Sequence, residues 1–348
     1  MTNQEKIAIV GAGSLRGREL NDALSDSPFG EAELLLMDDE AEMGTLEAVG
    51  DEVTFIQRIE PSSFRHAAFA FFAGDETLTK KHWQAALRSG ASIVDLSGAL
   101  EGEKGVLVRA PWIEDGEAPA APNQPGLETR AVVPAHPVAV ALTLLLARAT
   151  ELGGIRSASA TVLEPASEYG RAAMDELHQQ TVKLLSFTDL PKQVYDTQVA
   201  FNVTPVFGEA ARFSLAASES RIRRHCALLS AGRLPESGVQ LLHAPVFHGY
   251  GISLAVELER ATTVDPMEAA LAGEHVEIVT AESDPPTNLS VAGQAHILVR
   301  VRPLSGGAAA ETNRFWIWAG FDNLRMAALN AVACALELNR LRPQGKVQ

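Results

Sequence analysis

Over the first third of the chain, short apolar runs bounded by turn residues alternate with segments whose apolar positions recur at helical intervals. KIAIV (6–10) is such a run; it enters GAGSLRG, and RELNDAL continues with helical spacing. A strand, a glycine turn and a helix are therefore predicted in that order. ELLLM (33–37) ends in Asp38 and Asp39, and FAFFAG (69–74), the helical TKKHWQAALRSG (79–90) and SIVDLSG (92–98) repeat the alternation. The pattern predicts an α/β domain with a mainly parallel, doubly wound sheet.

The pattern changes near residue 134. PAHPVAVALTLLL (134–146) opens a helix over 138–150 that is apolar on every side. Pro137 suits its first turn, where a missing N–H costs nothing. SASATVL (157–163) reads as a strand, 170–186 and 217–231 as helices, and GISLAVELE (251–259), AHILVRVRP (295–303) and FWIWAG (315–320) as strands. Their alternation predicts an antiparallel sheet covered by helices on one face. The last helix, DNLRMAALNAVACALELNRL (322–341), is expected to return to the first domain. The domains predicted are thus a Rossmann-type dinucleotide-binding domain at 1–133 and 320–348, and an inserted α+β domain at 134–319.

Composition narrows the function. A chain of 348 residues exceeds what one core usually serves, consistent with two domains. The net charge of −15 opposes binding to nucleic acid or anionic membranes, which leaves small molecules and proteins as expected partners. Cys226 and Cys334 are the two cysteines, in helix-like segments and without metal-ligand spacing. That usage, the absence of signal-peptide features in MTNQEKIAIVGAG and the lack of a membrane-length apolar run predict a soluble cytoplasmic protein.

Gly11, Gly13 and Gly17 follow the spacing GxGxxxG, with Arg16 where the strict fingerprint has its third glycine. The expected cofactor-binding set is Gly11, Gly13, Ser14, Leu15, Arg16 and Gly17, with Asp38 and Asp39 after the second strand, and Gly74 and Ser97 after later ones. The cofactor expected is NAD or NADP. Two acids would bond ribose hydroxyls and repel a 2′-phosphate, so Asp38 and Asp39 favour NAD. The alternative is that the glycines serve only tight turning and close packing.

Several segments together resemble the aspartate-semialdehyde dehydrogenases: GAGSLRGREL, SGASIVDLSGAL, LEPASEYGRAAMDEL, HAPVFHGYGISLAVELE and, most specifically, GFDNLRMAALNAVACAL. The resemblance runs nearly end to end. It implies a semialdehyde dehydrogenase fold, glyceraldehyde-phosphate-dehydrogenase-like in its inserted domain, and a homodimer built through that domain. It also implies chemistry in which a cysteine attacks an aldehyde, hydride passes to NADP, and phosphate releases the acyl group, aided by a histidine acid and base.

The departures from the family fall on that chemistry. Pro137 stands at the cysteine's position, and no cysteine, serine or lysine occurs between 130 and 150. Tyr250 stands at the histidine's position, with His248 two residues before it. The arginine before the family's proline becomes His243, the phosphate-binding arginine becomes Glu101, and a substrate-orienting glutamine becomes Glu164. In character the chain is closest to the cysteine-less Usg-type relatives.

Three readings remain open. The standard reaction is lost; or Cys226 supplies the nucleophile, with its pKa depressed by Arg221, Arg223, Arg224 and His225; or His136, Glu164, His248 and Tyr250, which the resemblance gathers in one cleft, run a different acid–base reaction. A small buried hydrophobe is the plainer reading of Cys226. No metal is expected, since nothing like HExxH is present. Arg171 is a candidate carboxylate binder or a surface ion pair, and His82, His178 and His275 read as solvated.

Overall fold

The computed structural model describes residues 5–39, 46–49, 52–113, 124–307 and 309–342. The chain divides into two compact units, Met1–Ala135 with Ala327–Gln348, and His136–Met326. These borders lie a few residues beyond those expected at 133/134 and 319/320.

The first unit contains strands β1 (Lys6–Val10), β2 (Glu33–Asp38), β5 (Gln57–Arg58), β6 (Ala67–Phe72), β7 (Ser92–Asp95), β8 (Val106–Arg109) and β9 (Ala131–Pro134), in the order β5-β2-β1-β6-β7-β9-β8. All neighbours in that sheet are parallel. A separate antiparallel hairpin joins β3 (Leu46–Val49) and β4 (Glu52–Phe55). The continuous apolar runs follow from burial on both faces of the sheet. Ile7, Ile9, Phe69 and Phe71 pack with Leu20 and Leu24 of α1 (Leu15–Ser25). Ala8, Val10, Ala70 and Phe72 point the other way, with Ala86 of α2 (Glu76–Arg88).

The returning helix joins the first of these cores through Ala328, Ala331, Val332, Cys334 and Ala335. A partly buried ion pair holds it there. Arg109, only 1% exposed, donates from Nε and Nη2 to Glu337 at 3.0 and 2.5 Å.

The second unit has helices α3 (Pro137–Thr150), α4 (Arg171–Leu185), α5 (Leu215–Ser230) and α6 (Val264–Leu271), and the terminal helix α7 (Asn323–Leu341) begins in it. Its six strands are β10 (Ile155–Glu164), β11 (Gly238–His243), β12 (Tyr250–Thr262), β13 (Val276–Ile278), β14 (Ile297–Pro303) and β15 (Thr312–Phe321), ordered β11-β10-β12-β15-β14-β13. The expected antiparallel sheet is corrected to a mixed one, because β11 and β13 pair parallel at the two edges. The connection from β10 to β11 carries α4 and α5, long enough for a parallel return. Along β12, Ile252, Leu254, Val256 and Leu258 are buried while Ser253, Ala255 and Glu257 are only partly covered, so one face carries the core. α3 is apolar on all sides because α5, α6 and β10 all pack on it.

Candidate functional site

In the first unit the glycine turn is a cradle made of backbone. β1 and β6 are neighbours, and β2 lies on β1's other side, so the strand order reverses between them, where α/β sheets bind ligands at the strands' carboxyl ends. Gly11 has φ +83°, and a Cβ on it would stand 2.3 Å from the Gly74 nitrogen. A Cβ on Gly17 would stand 2.2 Å from the Gly11 carbonyl oxygen. No side chain fits at any of these contacts, so glycine is required for the backbone of the turn, of Gly74 and of the α1 N-terminus to approach this closely.

Three of the side chains expected to meet a cofactor have partners within the chain. Ser14 caps α1, accepting from Gly17 N–H at 2.9 Å and donating to Ala73 O at 2.9 Å. Buried Asp38 accepts from the Gly13 and Asp39 amides at 2.8 and 2.9 Å, so it shapes the turn, and Asp39 is exposed. Ser97 bonds Asp95 at 2.6 Å and Thr79 at 2.9 Å, inside a buried turn. Leu15 and Arg16 lie half-buried on the first turn of α1.

The second unit gathers a polar cluster around the start of α3. His136 is the N-cap: its Nδ1 accepts from Val138 N–H at 3.2 Å, which puts its proton on Nε2, 3.8 Å from Glu168 Oε1. The His136 amide donates to His225 Nδ1 at 2.9 Å. Its imidazole meets the Tyr250 ring edge-on at 6.1 Å, and the Tyr250 hydroxyl donates to Glu164 Oε1 at 3.4 Å. Tyr169, stacked on Phe213, reaches Ser218 at 3.3 Å. Asn323 ties the cluster together, accepting from Ser167 Oγ and the Gly249 amide at 3.1 and 3.3 Å. Gly249, at φ +84° and hard against Asn288, turns the chain so that Tyr250 points inward.

Of the four expected acid–base residues, His136, Glu164 and Tyr250 are brought together. His248 is half-buried, and among the described residues no hydrogen bond or ion pair joins it to them. Sequence reasoning missed Glu168, Tyr169, Ser218 and Tyr195 as members. Glu168 and Tyr169 were visible in EPASEYG, whose charged and aromatic positions fit neither strand nor helix periodicity.

Burial sets the electrostatics. Glu164 is fully buried, and desolvation, with the nearby Glu168 charge second, raises its carboxyl well above the ordinary 4.5. Desolvation pushes His243 down to about 4. The two stand 4.0 Å apart without a hydrogen bond, and burial outweighs their attraction, disfavouring the charged form of each.

A stability test follows from these signs. The unfolded chain releases the Glu164 proton near pH 4.5 while the folded chain holds it to a higher pH, so this residue costs stability increasingly as pH rises from 4.5 toward the raised folded pKa. E164Q cannot ionise in either state. Urea titrations should find E164Q gaining on wild type as pH rises from about 4.5, by more than the roughly 0.5 kcal/mol error of extrapolation. A gap that narrows with rising pH overturns the assignment.

The thiol of Cys226 is corrected as well. Burial pushes it up to about 11, against the expectation that neighbouring arginines depress it. Arg223 turns outward to Glu219 at 3.5 Å, while Cys226 Sγ faces Ala139 O of α3 at 4.0 Å. Arg171 is exposed at the start of α4, His178 is exposed, and His82 and His275 are partly buried rather than solvated. Among the described residues no group of three or more His, Cys, Asp or Glu could hold a metal ion.

Comparison with known proteins settles the family. The semialdehyde dehydrogenase NAD-binding domain matches residues 6–122, and the semialdehyde dehydrogenase dimerisation domain matches 146–326. The chain belongs to the semialdehyde dehydrogenase family. A USG-1 protein homolog of Azotobacter vinelandii is 30% identical over 333 residues, covering 94% of this chain and 96% of its own. An aspartate-semialdehyde dehydrogenase of Rickettsia bellii is 24% identical over 343 residues, covering 97% and 98%.

Among solved structures, a probable aspartate-semialdehyde dehydrogenase from Pseudomonas aeruginosa superposes with a TM-score of 0.80 at 26% identity, over 97% of this chain and 98% of its own. Aspartate semialdehyde dehydrogenase II from Vibrio cholerae has the same fold, with a TM-score of 0.80 at 22% identity over 97% and 99%. The semialdehyde dehydrogenase family scaffold thus accounts for both units. Among the described residues no helix is long and apolar enough to cross a membrane.

Proposed function

We propose that this member of the semialdehyde dehydrogenase family binds NAD(P) in its first unit and does not run the phosphate-dependent thioester reaction. The observation that carries the reading is Pro137. It occupies the first turn of α3, where the family resemblance puts the nucleophile, and its neighbours offer no replacement. The remaining thiol of the second unit, Cys226, with a pKa near 11, is a thiolate about one part in ten thousand of the time at pH 7. A carboxyl at Glu101 in place of a phosphate-binding arginine adds repulsion where phosphate would have to sit.

A bound dinucleotide would supply hydride acceptance. The glycine cradle would hold its pyrophosphate, and Asp39 favours the 2′-hydroxyl of NAD over a 2′-phosphate. Two names among the matches support the cofactor and the assembly: the NAD-binding domain and the dimerisation domain. We take the dimer to be a homodimer formed on the partly covered sheet face that carries Trp316, Trp318 and Ser253. Sedimentation should give twice the chain mass.

One assay tests the enzymatic reading. Aspartate semialdehyde with NADP or NAD and phosphate should yield no reduced cofactor above the level of a Cys226→Ser control. Millimolar NAD should still raise the melting temperature. Phosphate-dependent turnover that Cys226→Ser abolishes would return the protein to the active dehydrogenases, and the absence of any dinucleotide shift would reduce the glycine turn to packing.

A further inference from the structure

The C-terminal ends of β10 and β11 deliver two buried polar side chains to one spot. Glu164 and His243 are register partners in the parallel pair, with Oε2 and Nδ1 4.0 Å apart. The loop after α4 adds Tyr195, whose ring lies 4.9 Å from the imidazole. Phe207 packs against both rings, at 5.1 Å from Tyr195 and 5.3 Å from His243. All three polar residues are 0% exposed. Yet by hydrogen-bond geometry Glu164 Oε2, both ring nitrogens of His243 and the Tyr195 hydroxyl have no partner among the described residues, although the Tyr169 and Tyr250 hydroxyls stand close enough to the Glu164 carboxyl to favour its charged form.

Native proteins pair buried polar groups, so four orphaned atoms on three touching residues call for a guest. We propose that Glu164, His243 and Tyr195 bind a small uncharged molecule carrying a carbonyl or hydroxyl oxygen, such as a primary amide, an aldehyde or an alcohol, and reject carboxylates, phosphates and ammonium ions.

The hydrogen-bond inventory fits that class. A protonated Oε2 and the phenol are donors, and a neutral imidazole brings one donor and one acceptor. A primary amide matches this set, its oxygen accepting from the donors and its NH2 donating to the free imidazole nitrogen. The charge balance also fits. A neutral acid with a neutral imidazole and a carboxylate with an imidazolium both sum to zero, and in either state the pair holds no surplus charge for an ion. Burial favours the first arrangement, raising Glu164 and lowering His243. Among the described residues no lysine or arginine bonds any of the three, so an anion would be buried without a counter-charge. An ammonium would have to ionise Glu164 first.

All three residues lie in the second unit, so the inference stands apart from the dinucleotide reading.

The test uses the full chain and three probes of nearly equal shape: butyramide, butyrate and butylammonium. At about 50 mM, butyramide should raise the melting temperature by about 2 °C, and the two ions should not. Y195F should lose the amide response yet melt no lower than wild type without ligand, because it removes an orphaned hydroxyl. E164Q, which stays neutral, should keep the response within about threefold in affinity. Where Y195F does not fold, the His243 imidazole resonances report instead, shifting with butyramide and not with the ions.

Equal or greater shifts with either ion, a wild-type response in Y195F, or no shift with any probe, which is the result expected if water alone fills the spot, would each overturn the proposal. NAD shifts measured on the same variants should stay at the wild-type level. A missing NAD shift beside an intact amide response counts against the dinucleotide reading alone.

Discussion

Glu176→Ala is expected to destabilise the protein by about 3–5 kcal/mol. The Glu176 carboxylate, 4% exposed, accepts from three consecutive amides, those of Gln193 and Val194 at 2.6 and 2.7 Å and that of Tyr195 at 3.1 Å. Alanine leaves the three amides without an acceptor, and each orphaned buried donor costs about 1–3 kcal/mol. Glu176→Gln keeps an acceptor oxygen and should lose roughly half as much.

One turn further along α4, Gln180 clamps the same loop, accepting from Val199 and Ala200 amides at 2.8 and 3.2 Å and donating to Pro191 and Thr197 carbonyls at 2.8 and 2.9 Å. The loop therefore should not detach entirely, but Tyr195 should leave His243. Urea unfolding followed by tryptophan fluorescence measures the loss. A cost below about 1 kcal/mol would mean that water replaces the carboxylate freely and that Glu176 does not position Tyr195.

Gly17→Ala should cost about 3 kcal/mol or more and abolish the NAD-induced melting shift. Its Cβ would meet the Gly11 carbonyl oxygen at 2.2 Å and the Ala12 Cα and carbonyl carbon at 2.8 and 2.9 Å. These are backbone atoms at the end of a buried strand, so neither partner can swing away. Relief requires α1 to lift off the turn, which would also spread the cradle. Gly126→Ala in the same unit, with nothing within 4 Å of its Cβ, is the control and should change stability by no more than about 0.5 kcal/mol. If the two variants unfold alike, close packing at the turn is not what requires glycine there.

Legibility differed between the two units. In the first, the strand–turn–helix order was readable because each segment's period and turn chemistry are local. β8 and β9 escaped because four-residue strands such as AVVP are too short to display a period. In the second, β12 and β15 were readable from their alternation, while the three-residue β13 and the parallel edge strand β11 were not. Asp38 illustrates the limit at side-chain level. Its place after β2 suggested a ribose contact, and only the fold shows its carboxylate committed to the Gly13 amide. Cys226 illustrates the same limit in charge: Arg223, near it in sequence, pairs with Glu219, and the packing of α5 against α3 buries the thiol.

By itself the sequence determined the two kinds of domain, the glycine turn, the family and the absence of a nucleophile at residue 137, because periodicity, backbone permissiveness and residue identity are properties of neighbouring positions. The tertiary structure alone decided that His136 caps α3 and faces Glu168 and Tyr250, that His248 makes no hydrogen bond or ion pair with them among the described residues, and that Glu164, His243 and Tyr195 meet in a buried spot. Desolvation and hydrogen-bond pairing depend on which distant segments enclose a group, and no local pattern of residues encodes that enclosure.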